Sequence, residues 1–203
     1  MKNISVSGLV VIAVLSAIVA TLCDAIHVFT DTLAYPQPLW LGQAFWVFPG
    51  FVIAFSAMSL IYAALADNLG GTLRCEQSAS GRASPLPFVE CMTLFAMTYA
   101  VSGFGNFEPF LLGVLFYGTF LIRLCASYER AFLLLIAVLL GVGGMFGEGL
   151  LIQFGLVEYR HVDIFGVPYW LGGLYMHGAF ALREAVRLFL FRHRPGGRAA
   201  ASR

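Results

Sequence analysis

Glu148 stands in the run Gly141-Val-Gly-Gly-Met-Phe-Gly-Glu-Gly149, a carboxyl group inside an otherwise apolar stretch. A charge at the centre of a bilayer costs roughly 2.5 kcal/mol or more, so such a group asks for a partner, a cavity or a function. The surrounding small residues let helices approach closely, and Gly143 and Gly147 have GxxxG spacing. Glu148 therefore reads either as a packing element held by an internal hydrogen bond or as part of a ligand-lined cleft. Asp24, His27 and Asp31 are spaced by three and four. They would share one face if the first helix continued outward, and that spacing could hold a metal, cap the helix or build a hydrogen-bond network. His161 and His177 could join them from the same side, whereas His193 lies in the C-terminal tail. Glu108, directly before Pro109, reads as a carboxylate complementing a helix N-terminus.

Uncharged polar groups are placed where they could orient a lipid head: Gln43, Trp46, Tyr99, Tyr117, Gln153 and Tyr175. Near membrane boundaries Trp and Tyr also serve as simple anchors. The four cysteines, Cys23, Cys75, Cys91 and Cys125, form no CxxC and have no histidines at zinc-finger spacing. No structural metal, cofactor or disulfide is expected.

The elements that must carry these groups are membrane helices. Of 203 residues, 60% are hydrophobic and only 11% charged, and mean hydropathy is +0.84. Soluble domains are about one quarter charged, so this chain cannot clothe a soluble surface. A crossing needs about 20 apolar residues, and six segments approach that standard: 6–25, 43–66, 86–103, 109–125, 131–154 and 167–191. The third and fourth are joined tightly at Gly103-Phe104-Gly105-Asn106, which demands an antiparallel hairpin. The class expected is an all-α membrane protein, a six-transmembrane-helix bundle forming one domain over 1–191, with a basic tail over 192–203.

Orientation follows from the basic residues, because short loops obey the positive-inside rule. With both termini cytoplasmic, eleven fall inside (Lys2, Arg74, Arg82, Arg123, Arg130, Arg183, Arg187, Arg192, Arg194, Arg198 and Arg203) and only Arg160 outside. The arginine-rich tail directly follows an apolar span, so it reads as a membrane-surface anchor rather than a nucleic-acid site. The stretch from Asp67 to Pro85, rich in Gly and Ser, reads as a flexible cytoplasmic loop. The outer loop with Tyr35, Pro36, Pro38 and Trp40 reads as an interfacial turn with aromatic anchors. The first apolar run reads as a retained helix rather than a signal peptide, because no convincing small-x-small cleavage site follows it. No internal repeat is recognised, which counts against an inverted-repeat transporter.

Two spaced motifs resemble those of a known family. Gly42-Gln-Ala-Phe-Trp-Val-Phe-Pro49, preceded by Asp24-Ala-Ile-His-Val and Tyr35-Pro36, resembles the Trp-Val-Pro region of the Insig (insulin-induced gene) proteins and their bacterial members. Gly155-Leu-Val-Glu-Tyr159-Arg-His-Val-Asp163, followed by Pro168-Tyr-Trp170-Leu171, is similar to the family's Gly…Tyr…Asp…Trp-Leu pattern at the same spacing. The departures are Phe45 and Phe48, where the family often has Trp and Pro, and the long basic tail. The resemblance implies a non-enzymatic protein that binds a lipid within the membrane and acts on a membrane-protein partner or on copies of itself. It also implies a partner-binding role for Asp163. Short loops and the arginine-rich end look bacterial, which implies the inner membrane; a eukaryotic member would reside in the endoplasmic reticulum.

With few cationic groups on inner helix faces, an anionic headgroup finds little compensation, so a neutral amphiphile, sterol-like or diacylglycerol-like, fits better. Two other classes compete. A metal-dependent intramembrane hydrolase would use Asp24, His27, His161 and His177, but the chain has no HExxH. A small transporter would break its fifth span at Gly147-Glu148-Gly149.

Overall fold

In a computed structural model, residues 4–75 and 84–191 are described. Lys2, Arg82 and the basic tail from residue 192, including His193, lie outside them. Six α-helices form the described chain: α1 (Val6–Phe29), α2 (Val47–Leu69), α3 (Pro85–Phe104), α4 (Pro109–Cys125), α5 (Arg130–Gln153) and α6 (Trp170–Ala185). A π-helical turn, Val186–Leu190, continues α6. Two short strands, β1 (Leu33–Ala34) and β2 (Glu158–Tyr159), pair antiparallel. The all-α expectation is thus amended by one small ladder joining the α1–α2 and α5–α6 loops.

Local sequence sets the helix ends. The Ser5 hydroxyl accepts the Gly8 N–H at 3.1 Å to start α1. Ser84 caps α3 at Leu86 N–H, with Pro85 in the first turn, where its missing N–H costs nothing. Pro109 opens α4 in the same way.

Four helices, α1, α2, α3 and α5, are long and apolar enough by themselves to cross a membrane. α4 has 17 residues and α6 only 16 before its π-helical turn, shorter than a straight crossing asks. α6 is also the most interior helix, packed against α3, α4 and α5. It buries Trp170, Leu171, Leu174, His177 and Phe180, so it has little need of a lipid-facing apolar surface. α4 instead leaves Phe110 and Ile122 on the outer surface of the bundle, both more than two-thirds exposed in the single chain.

The absence of a repeat is overturned by the fold. α1 and α5 are each 24 residues long, and they begin and end at a constant offset of 124 positions, the difference between residues 148 and 24. At that offset Asp31 (φ 52°) matches Gly155 (φ 66°), Leu41 (φ 53°) matches Phe165 (φ 58°), and Gly42 (φ 72°) matches Gly166 (φ 84°). Both helices close with the same pair of bonds: Thr32 N–H to His27 O at 2.8 Å and Asp31 N–H to Val28 O at 3.1 Å, matched by Leu156 to Leu151 at 2.9 Å and Gly155 to Ile152 at 2.8 Å. This is the left-handed C-terminal cap, which takes a residue at positive φ. The two tight turns, Trp40 to Gln43 and Ile164 to Val167, repeat as well. Each has two successive positive-φ residues, as a type I′ turn requires. The ladder pairs Ala34 with Glu158, which are themselves equivalent positions, so the two units meet about a two-fold relation. The sequence carries this repeat as Tyr35…Gly42…Trp46 and Tyr159…Gly166…Trp170. The apolar fill between those positions differs enough to hide it.

α1 packs on α2 as α5 packs on α6, and α3 lies against both α1 and α6. The resulting space is not fully occupied by side chains.

Candidate functional site

A cavity of about 590 Å³ lies among α1, α2, α3, α5 and α6. Its walls are mainly apolar, with Phe51, Phe55 and Met58 from α2, Met92 and Phe95 from α3, and Leu139 and Leu140 from α5. At one end it meets Tyr35, Trp46, Tyr99, Glu148 and Tyr175. A Cβ added at Gly143 or Gly147, both on the cavity wall, would meet nothing within 4 Å. The GxxxG pair therefore does not pack against a helix, contrary to the simplest reading of its spacing. Close approach falls instead to Gly141, where a Cβ would lie 3.1 Å from the Gly172 carbonyl oxygen, and to Gly144, whose Cβ would collide with Tyr175.

The polar end is built by hydrogen bonds whose directions are fixed. Tyr35 donates its hydroxyl to Asp24 Oδ2 at 2.7 Å. Gln43 Nε2 donates to the same oxygen at 2.8 Å and to Thr21 O at 2.8 Å, tying α1 to the loop before α2. Tyr175 donates to Glu148 Oε1 at 2.9 Å. Trp46 meets the Tyr35 ring edge-on at 5.7 Å. Burial first, and the adjacent Asp24 charge second, raise the Tyr35 hydroxyl far above the ordinary phenol range. Its proton stays in place.

Of the residues singled out by sequence, Trp46, Tyr99, Glu148 and Tyr175 line the cavity. Gln43 is one layer behind, on Asp24. Tyr117 and Gln153 are elsewhere: Tyr117 donates to Tyr169 O at 2.8 Å, and Gln153 is exposed at the end of α5. Asp163 is exposed and accepts the Tyr169 N–H at 3.2 Å just ahead of α6. Tyr35, read from sequence as an interfacial anchor, belongs to the site. Its signal was the repeated Tyr-Gly-Trp spacing.

The residues proposed for a metal do not converge. α1 does continue outward, to Phe29, and buries Asp24 and His27, but Asp31 lies beyond it, exposed and 3.8 Å from Arg160. His27 Nε2 is hydrogen-bonded to Ser102 Oγ at 2.7 Å, and the Ser102 hydroxyl lies 3.0 Å from Tyr99 O, so the imidazole is held by these neighbours. His161 Nε2 bonds Asn106 O at 2.8 Å. His177 Nδ1 accepts from Arg123 at 3.0 Å, since a guanidinium only donates, and its Nε2–H points at Phe116 O at 3.0 Å. No group of three His, Cys, Asp or Glu side chains is placed to hold a metal among the described residues.

The architecture matches solved structures of one protein. MvINS, a mycobacterial Insig homologue from Mycobacterium vanbaalenii, aligns over 94% of this chain and 96% of its own at 23% identity, with a TM-score of 0.72. A cross-linked MvINS trimer aligns over 93% and 97% at 22% identity, with the same score. The chain has the Insig fold. No protein-family model and no curated protein matches the sequence. Apolar helices in the Insig fold make this an integral membrane protein. Within that fold, the two equivalent halves supply the two carboxylates, Asp24 from α1 and Glu148 from α5.

Proposed function

We propose that this is an Insig-like, non-enzymatic membrane protein that binds a neutral lipid, sterol-like or diacylglycerol-like, in the cavity between its helices. The observation that carries the reading is the cavity itself, with apolar walls and one polar end. Its volume of about 590 Å³ suits a small amphiphile, since ligand sites run from roughly 300 to 1,000 Å³. Among the described residues, neither Asp24 nor Glu148 has a lysine or arginine within 4.0 Å; the ion pairs lie elsewhere, at Arg160 and around Glu129. An anionic head would find no compensating cation there, which favours a neutral one.

Six crossings with both termini cytoplasmic agree with the basic residues at the α2, α4, α5 and α6 ends against Arg160 alone in the opposite loops. The trimeric MvINS supports a homo-oligomer, and Asp163, exposed beside α6, is available to a membrane-protein partner. With a bacterial relative in view, the inner membrane is the expected location. Mass spectrometry of lipids retained by the gently solubilised, folded protein tests the reading. A stoichiometric neutral lipid is expected, and its absence would sink the proposal. A second reading, a small transporter, draws on the internal repeat, because repeats about an axis normal to the membrane build several transporters. Solute uptake into proteoliposomes would favour it.

A further inference from the structure

Arg123 stands in the last turn of α4, and a helical Cα–Cβ bond leans toward the helix N-terminus, here back into the apolar span. An arginine at a helix end ordinarily extends to the nearby water. Arg123 is instead held inward. Its guanidinium carbon lies 4.0 Å from the centroid of the Phe180 ring on α6, Nη1 donates to His177 Nδ1 at 3.0 Å, and Nη2 lies 3.9 Å from Cys91 Sγ on α3. None of these partners is an anion, and His177, accepting through Nδ1, is uncharged. No carboxylate comes within 4.0 Å of Arg123 among the described residues: Glu129 and Glu184 are taken by Arg183 and Arg187, and Glu90, next to Cys91, is exposed and beyond that distance. Three arginines against two glutamates leave one positive charge over, and it is the charge of Arg123.

A guanidinium has five N–H donors. His177 and Cys91 occupy two of them, so the others form a fork already fixed from α3 and α6 and, since Arg123 is only partly buried, open to a ligand. α3 and α4 each pack against α6 rather than against one another, so the guanidinium bridges a cleft floored by α6. Leu94, one turn from Cys91, and Ile122, next to Arg123, leave apolar surface exposed on its two walls.

We infer that Arg123 seats the phosphodiester of an anionic phospholipid, from the leaflet at the Cys125 end of α4, which is cytoplasmic in the orientation proposed above. The planar fork matches a pair of phosphate oxygens, and basic pockets between helices on the cytoplasmic side bind anionic lipid heads. A zwitterionic head would bring its own ammonium toward Arg183 and fits less well. Arg123, His177, Phe180 and Cys91 do not line the inter-helix cavity, so this second site stands without the neutral-lipid reading.

The test is native mass spectrometry of the purified full chain titrated with dioleoyl phosphatidylglycerol or dioleoyl phosphatidylcholine. Phosphatidylglycerol is expected to bind severalfold more tightly. Arg123→Gln, uncharged but still able to donate to His177, should weaken it about tenfold, the scale of a charge-assisted hydrogen bond, and remove the preference. Arg123→Lys keeps the charge without the fork and should fall between. Arg130→Gln, at an exposed arginine bonded to Ser127 O, should bind as wild type does. Equal affinity of the wild-type protein for the two lipids overturns the inference, and that comparison needs no variant to fold. Wild-type affinity in a folded Arg123→Gln protein overturns it as well, as does a loss caused by Arg130→Gln instead. Displacement by an equal concentration of inorganic phosphate would make this a free-anion site and overturn the lipid assignment. Dioleoylglycerol retention, which reads the cavity, should be untouched by Arg123→Gln; loss of both lipids alike would overturn a separate site.

Discussion

Replacing Gly147 by leucine is expected to abolish lipid retention while leaving the helix bundle intact. Nothing lies within 4 Å of a Cβ built there, and the residue faces the cavity, so the new side chain grows into the space the lipid would fill. Within α5 the change is favourable, since Gly costs about 0.8–1.0 kcal/mol relative to a good helix former. A leucine side chain carries four carbons and displaces roughly three to four lipid methylenes. At about 0.8 kcal/mol per methylene, the lost contact is roughly 3 kcal/mol, or about a hundredfold in affinity. The measurement is lipid retained per protein by mass spectrometry, alongside thermal unfolding in the same detergent. Gly141→Leu is the control, because a Cβ there already lies 3.1 Å from the Gly172 carbonyl oxygen. It should cost roughly 1–3 kcal/mol of stability through overpacking. Wild-type lipid retention by a folded Gly147→Leu protein would refute the reasoning that places the lipid in this cavity.

Glu129, 3% exposed, accepts from Arg187 at 2.6 Å and lies 3.9 Å from Arg183. Glu129→Gln leaves two partly buried guanidinium groups without that charge, and unfolding in detergent should show a loss of about 2–3 kcal/mol, below the range for fully buried pairs because both arginines touch solvent; an unchanged midpoint would contradict this. The raised Tyr35 hydroxyl contributes stability that is complete below the ordinary phenol value, about pH 10, and is lost as pH rises above it. Tyr35→Phe should therefore make the alkaline fall in stability shallower by up to about 1.4 kcal/mol per pH unit, and equal slopes in unfolding series from pH 9 to 12 would reject it. For orientation, a membrane-impermeant maleimide should label Asp163→Cys in intact cells and the exposed native Cys125 only after permeabilisation; the reverse pattern would invert the topology.

Legibility along the chain followed the physics of each signal. Apolar length gave away α1, α2, α3 and α5 because lipid imposes a composition on any helix that faces it. The expected span from residue 167 runs ahead of α6, since Val167-Pro168-Tyr169 is apolar and aromatic and reads as span although the helix begins at Trp170. The first span, 6–25, stops short of the end of α1 at Phe29, because His27 reads as a boundary residue until Ser102 is seen to hydrogen-bond it. Glu148 stood out at once as a costly carboxyl. Tyr117 and Gln153 did not join it, because helical phase and neighbouring helices, not polarity, decide which face turns inward.

The sequence by itself determined that this chain lives in a membrane, roughly where its helices run and, through two spaced motifs, that it would share the Insig fold. Hydrophobic length and turn residues are local quantities, so they can be read locally. Only the tertiary structure decided that Gly143 and Gly147 border empty space while Gly141 and Gly144 touch a neighbour, and that Tyr35 turns into the cavity to give its proton to Asp24. Those outcomes depend on which helix stands opposite. That choice is made by the packing of two equivalent halves around α3.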